Sequence, residues 1–406
     1  MAGRSLLRPL GVPGFRLLFL SAFASSFGTL LAAVALAIDV KDRTDSGLWV
    51  GALMVVEFLP AILIGLLVGP LFDRLSRRGL MVAADVARAA VFSALPFVSS
   101  PGAIVGLAAV AGFATGFFRP AAVAGIPNLV AEDDLPAANA LIQVVENVSW
   151  TVGPIVGGVL TAAAGPHASY WVNAGSFLLS AALILRIPQQ LLQSVTALTR
   201  GHWRDLADGF AVVRRSRMLM TIVVAWSVAS IGIGLANVAE VFLAKDSFNA
   251  GDFGYGLLFG AIGAGLVVGS LLAPVVDARF GIAALYAGSI AVTALGYGLA
   301  AVSPNVWVAA AFCVVAGVGN GASSLANPLL VQRGAPDEVR GRALTLIISL
   351  NYIVLAVGFA VAGPIVNALG ARWAWGIAAA LIAVASGLAL VMAHPRVGLR
   401  LHSVAD

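Results

Sequence analysis

The chain has 406 residues, of which 60% are hydrophobic and only 11% charged. Soluble domains carry roughly 25% charged residues, so these proportions, with a mean hydropathy of +0.98, exclude a soluble globule of this size. The formal net charge of +5 comes almost wholly from arginine, since Lys41 and Lys245 are the only lysines.

A membrane-spanning helix needs about 20 apolar residues. Twelve apolar runs of that order are present, at 15–39, 48–72, 79–99, 103–127, 138–164, 167–187, 217–244, 253–277, 281–302, 306–329, 342–368 and 372–393. The sequence thus predicts an all-α membrane protein: twelve transmembrane helices in two pseudo-symmetric six-helix bundles. The bundles span 1–187 and 217–406, and the polar stretch 188–216 is a cytoplasmic linker between them. Within it Trp203, Leu206, Phe210 and Val213 recur at helical spacing, as in a helix lying on the membrane surface. The arginines before the first run, Arg4, Arg8 and Arg16, with an apolar stretch too long for a signal core, read as an uncleaved first helix. Most of the 24 basic residues fall on the side of both termini, leaving Lys41, Arg43, Lys245 and Arg372 on the other and Arg88 and Arg119 within helices. The positive-inside rule then puts both termini in the cytoplasm of a multi-pass protein of the cell inner membrane. The basic balance reflects topology and anionic lipid in the bilayer, with no nucleic-acid partner.

In chain order, the first run carries Ser25, Ser26 and Thr29 and, near its outer end, Asp39; the second carries Glu57. A carboxyl kept in a membrane helix points to proton or substrate handling, because lipid exposure would be costly. After the second run stands Gly69-Pro70-Leu71-Phe72-Asp73-Arg74-Leu75-Ser76-Arg77-Arg78. A carboxylate flanked by guanidiniums can make charge-assisted bonds that break and remake between two states, so Gly69, Asp73, Arg74, Arg77 and Arg78 form a candidate cytoplasmic latch. Arg119 in the fourth run lies 14 residues before the turn at Asp133, and Glu146 in the fifth lies 13 after it, so antiparallel helices would bring them together as a buried ion pair. The fifth run continues with Gly153-Pro154-Ile155-Val156-Gly157-Gly158, a kinked and thinned helix that lets a neighbour approach.

Trp226, Ser230 and Asn237 in the seventh run, and Asn320, Ser323 and Ser324 in the tenth, offer polar groups to a central cavity or to helix packing. Glu240 stands 201 residues after Asp39, near the outer end of the seventh run. The halves echo each other elsewhere, as in Gly153-Pro154-Ile155-Val156 and Gly363-Pro364-Ile365-Val366. Asp39 and Glu240 are therefore expected to face each other across a pseudo-twofold axis, as proton-coupling candidates with Glu57 as a third.

The 69–78 loop resembles the loop signature of the major facilitator superfamily, and 153–158 resembles the end of the antiporter motif of its proton-coupled drug exporters. Phe118-Arg119-Pro120-Ala121, Asn139-Ala140-Leu141, Tyr170-Trp171-Val172-Asn173-Ala174 and Gly341-Arg342 are similar to the branch containing macrolide efflux proteins and the enterobactin exporter. The resemblance implies a monomeric secondary transporter exporting bulky, partly hydrophobic small molecules such as drugs or siderophores, driven by the proton gradient with no cofactor. It further implies a cavity lined by the first, fourth, seventh and tenth helices. Proton-coupled uptake, or a receptor or assembly role without transport, stays open as an alternative. Neither a phosphate-binding loop nor a nucleophile elbow occurs, the four histidines lack metal spacing, and Cys313 is alone, so an enzyme or a metal site is not expected.

Overall fold

The computed structural model describes residues 6–67, 76–192, 210, 213–214, 216–334 and 337–393. Among them run twelve long helices: α1 Pro13–Thr44, α2 Gly47–Leu67, α3 Arg77–Ala94, α4 Pro101–Leu129, α5 Leu135–Ala164, α6 Pro166–Leu185, α7 Arg217–Phe242, α8 Gly251–Phe280, α9 Ile282–Ala301, α10 Val306–Gly334, α11 Asp337–Leu369 and α12 Ala371–Ala393. Ten of these contain spans long and apolar enough to cross a membrane. The other two are α2, apolar over Gly47–Pro60, and α5, which carries Asn139, Gln143, Glu146 and Asn147. Residues 193–209 of the linker 188–216, which include Trp203 and Leu206 of the expected surface helix, and the loop residues 68–75, which include Gly69, Asp73 and Arg74 of the expected latch, lie outside the described residues.

Local chemistry sets the boundaries. Pro13 opens α1, where its missing N–H costs nothing, and Asp45 closes it in the left-handed region at φ 44°, donating its N–H to the Lys41 carbonyl. Ser76 and Ser216 cap α3 and α7 by accepting from the amides of Gly79 and Leu219. The sharp α5–α6 and α11–α12 turns place Gly165 and Gly370 at φ 76° and 83°, a region that a side chain resists.

The first half, α1–α6, and the second, α7–α12, pack by one pattern. Helix α1 lies on α5 and α6, α4 on α2 and α3, and α3 on α6; shifted by six, α7 lies on α11 and α12, α10 on α8 and α9, and α9 on α12. The halves meet along α5 with α8 and α2 with α11, the exchange expected of parallel repeats. One large apolar cluster joins the two halves, and a smaller one, around Phe15, Met81, Phe118 and Leu141, belongs to the first half alone. Outward-facing side chains such as Leu271, Phe280 and Val391 remain exposed, forming the apolar belt that lipid covers.

We call the end where α1 begins the near end and the end where it stops the far end. The halves touch in the far half of the molecule. A Cβ on Gly158 would stand 2.9 Å from the Gly256 Cα, one on Gly363 2.6 Å from the Leu48 Cα, and one on Gly263 2.5 Å from the Trp150 carbonyl oxygen. Trp150 stacks on Phe259 at 5.5 Å across the same seam. At the near end Ser216 bonds the Gly334 carbonyl and Arg333 bonds Asp277, each within the second half.

Candidate functional site

Acids and bases gather at the far end of α1 and α7. Asp39, buried at 6% exposure, receives Arg43 Nε on Oδ1 at 2.7 Å and the Tyr170 hydroxyl on Oδ2 at 2.9 Å. Lys41 Nζ reaches Asp246 Oδ1 at 2.6 Å and Asp45 Oδ1 at 3.1 Å. Lys245 Nζ reaches Asp42 Oδ2 at 2.7 Å and Asp252 Oδ1 at 2.5 Å. The two lysines therefore bind other acids, and Arg43, one turn along the same helix, is the base that pairs with Asp39.

Glu240 is 2% exposed, and its Oε1 has no hydrogen-bond partner among the described residues. The expected face-to-face arrangement with Asp39 is not what the structure holds. Asp39 turns to α6 of its own half through Tyr170, whereas the groups within electrostatic range of Glu240 are Tyr255, Tyr297 and Cys313 of the second half. The repeat of Lys41 and Asp45 as Lys245 and Asn249 has an offset of 204, so the counterpart of Asp39 is Leu243 and Glu240 stands three residues before it on the helix. Glu57 is half-buried on α2 and stands within electrostatic range of Tyr170 and Tyr255, so the three acids flank a common far-half region.

The Arg119–Glu146 pair forms, with Nη2 to Oε1 at 2.8 Å, as the antiparallel count requires. It is not buried: Arg119 is 64% exposed and Glu146 30%. The pair is open to its surroundings because Arg119 emerges next to Phe118, the residue that takes the inward position on α4.

A second intramembrane pair, whose arginine the sequence marks only as lying within a helix, is the buried one. Arg88 Nη2 bonds Asp85 Oδ1, and both side chains are under 5% exposed. Asp85 Oδ2 also accepts from Ser180 Oγ at 2.6 Å, and Ser180 bonds Ser21 Oγ at 2.8 Å, tying α3 to α6 and α1. The guanidinium lies between the rings of Phe118 and Phe177, at 4.6 and 4.3 Å. The i, i+3 spacing of an acid and a base in one apolar run was the available signal.

Of the latch residues that are described, Arg77 donates to the carbonyls of Ala124 in α4 and Leu192 at the start of the linker, and Arg78 to that of Leu185 in α6. The motif glycines of α5 divide their work. A Cβ on Gly153 or Gly157 would press on Leu30 or Leu31 of α1, whereas Gly158 and the Pro154 carbonyl meet Gly256 of α8. Trp226, Asn237 and Asn320 are half-buried, while Ser323 is fully buried and bonds Ser289 at 2.7 Å, joining α9 to α10. Asn128 on α4 and Asn327 on α10, equivalent helices, each leave an amide atom without a partner, which the sequence patterns do not single out.

Twelve long helices, ten with spans apolar enough to cross a membrane, in two like-packed halves with charged groups between them, define a transporter of the major facilitator type, not an enzyme. Residues 4–402 match the model of the transmembrane secretion effector family, and the chain belongs to that family. The multidrug efflux pump Tap of Mycobacterium tuberculosis is 25% identical over 396 residues, 93% of each chain. Macrolide efflux protein A of Streptococcus pyogenes is 22% identical over 83% of this chain and 85% of its own. Among solved structures, a variant of the nucleoside transporter NupG overlays with a TM-score of 0.78 at 16% identity, covering 94% of this chain and 100% of NupG. A bacterial homologue of the iron transporter ferroportin, in an inward-facing state, gives 0.73 at 15% identity, over 96% of this chain and 99% of its own. Those likenesses establish the fold.

Proposed function

We propose that the protein exports bulky, partly hydrophobic small molecules across the cell inner membrane in exchange for protons, working as a monomer with both termini in the cytoplasm. The reading of the halves as bundles 1–187 and 217–406 around a linker belongs to the same proposal. The near end is then the cytoplasmic one. The close glycine contacts of α5 with α8 and of α2 with α11 in the far half support a cavity reached from the cytoplasm, one side of an alternating-access cycle.

The observation that carries proton coupling is the orphaned Oε1 of buried Glu240. A carboxyl with no fixed cation can take and give up a proton without breaking an ion pair, whereas Asp39 must first release Arg43 and Tyr170. Similarity to efflux pumps supports the outward direction. Half-buried Trp226, with the Trp150 and Phe259 rings at the seam, supplies apolar surface for such a substrate.

Proteoliposomes with an imposed pH gradient, loaded with ethidium or erythromycin, test this. Movement toward the acidic side that collapses with the gradient is the expected result. Net movement with the proton flux would establish uptake instead, and gradient-independent movement would remove protons from the mechanism.

A further inference from the structure

The far ends of α1 and α7 carry one signature twice. Lys41-Asp42-Arg43-Thr44-Asp45-Ser46-Gly47 returns 204 residues later as Lys245-Asp246-Ser247-Phe248-Asn249-Ala250-Gly251. The backbone repeats with it: Asp45 at φ 44° and Asn249 at φ 50° are the only non-glycine residues of positive φ among the described ones. In the second copy the turn Leu243–Ser247 is a π-helix, the wider winding often found at working positions. Lys41 and Lys245 are the chain's only lysines, and each binds two acids. For each, one acid lies in the opposite half, Asp246 for Lys41 and Asp42 for Lys245; the other lies in its own half, Asp45 and Asp252 respectively.

We propose that Lys41 and Lys245 form a reversible two-point clasp across the far end, each exchanging the aspartate of the opposite half for that of its own half when this end opens. The own-half acid is what makes the clasp reversible. Pulling a lysine from its only partner would strand a partly buried ammonium, with side-chain exposures of only 11% and 16% here. With Asp45 or Asp252 already in contact, opening breaks one bridge per lysine and leaves no cation alone. Lysine suits this exchange better than arginine, since its compact ammonium turns between acceptors without a fixed fork geometry. The two bridges act at the rim where the helix seams begin, so they bias the opening of the far end without entering the Glu240 region.

The proposal rests on the alternating-access reading, and the experiment separates the two. Spin labels at Ser99→Cys and Val302→Cys, exposed far-end positions of the two halves, in a Cys313→Ser background report the separation in proteoliposomes. Lys41→Gln with Lys245→Gln should raise the long-distance fraction about 5-fold or more. Asp42→Asn with Asp246→Asn should do the same, and serves if the lysine variant folds poorly. Asp45→Asn with Asp252→Asn, which removes only the own-half acceptors, should lower that fraction, an effect of opposite sign that loss of surface charge alone does not give. A fraction unmoved by the cross-half variants, or moved the same way by the own-half variant, overturns the clasp. Ethidium efflux by the unlabelled protein is measured alongside. Absent efflux with the opposed distance responses intact would refute the transport reading and leave the clasp standing; efflux without those responses would do the reverse.

Discussion

Each half buries a carboxyl near the far end of its first helix, and the two are treated differently by their surroundings. Asp39 is held by an arginine and a tyrosine hydroxyl; Glu240 keeps one oxygen with no partner at all. The contrast extends inward. Deeper in the first half, buried Asp85 is bonded by Arg88 and Ser180, and Ser180 in turn by Ser21. The described buried polar links of the second half are hydroxyl and indole bonds such as Ser289–Ser323 and Trp375 to the Ala236 carbonyl. Two halves with one backbone plan have therefore divided their labour: one is internally braced by ion pairs, and the other holds the unpaired group able to change charge at low structural cost.

The largest effect should come from unbalancing the braced half. Arg88→Ala leaves Asp85 buried without its cation and is expected to cost about 3–5 kcal/mol, whereas Glu240→Leu, which removes a buried polar oxygen without a partner, should leave thermal stability in detergent equal or higher. Equal losses in the two variants would break the contrast. Next comes coupling. Glu240→Gln should reduce gradient-driven ethidium transport about ten-fold or more while exchange without a gradient persists, the size expected for losing a coupling of roughly 1.4 kcal/mol or above. Asp39→Asn should mainly loosen Arg43 and Tyr170 and change gradient dependence less. A reversed ranking would move the proton site to the first half.

The seam gives a smaller expectation. Gly256→Ala would set a methyl 2.5 Å from the Pro154 carbonyl oxygen, so closure of the far end should weaken by about 1–3 kcal/mol. Gly376→Ala, where nothing lies within 4 Å, should leave transport unchanged. The smallest effect concerns Arg119 and Glu146. Exposed at 64% and 30%, they should show a coupling of about 0.2–1 kcal/mol in a double-mutant cycle on stability. A value several times larger would mean that the pair is desolvated in the membrane.

Much of the fold was legible because hydropathy and helix length are one-dimensional signals. The run at 167–187 corresponds to Pro166–Leu185, and that at 281–302 to Ile282–Ala301. The approach of Arg119 to Glu146 was legible for the same reason, since an antiparallel hairpin converts counting into depth. Its exposure was not, because facing is decided by which residue of α4 packs inward, and Phe118 does. That Arg43 pairs with Asp39 was not legible although it is one turn away, because Lys41, closer in sequence, carries the same charge. Only the meeting of α1 with α7 shows that Lys41 and Lys245 are engaged across the seam. The role of Asp85 was hidden by the need for three helices to complete its network.

The crossed lysine bridges have one more consequence. A contact in which residue i of one partner meets residue j of the other, and j meets i, is what a two-fold axis produces in a homodimer. Were the halves separate identical chains, a single Lys-Asp step per chain would generate both bridges at once. The fused chain keeps that isologous arithmetic but frees each copy to vary. Arg43, which occupies Asp39, has Ser247 at its counterpart position, and so the symmetric frame can hold two unlike carboxyls.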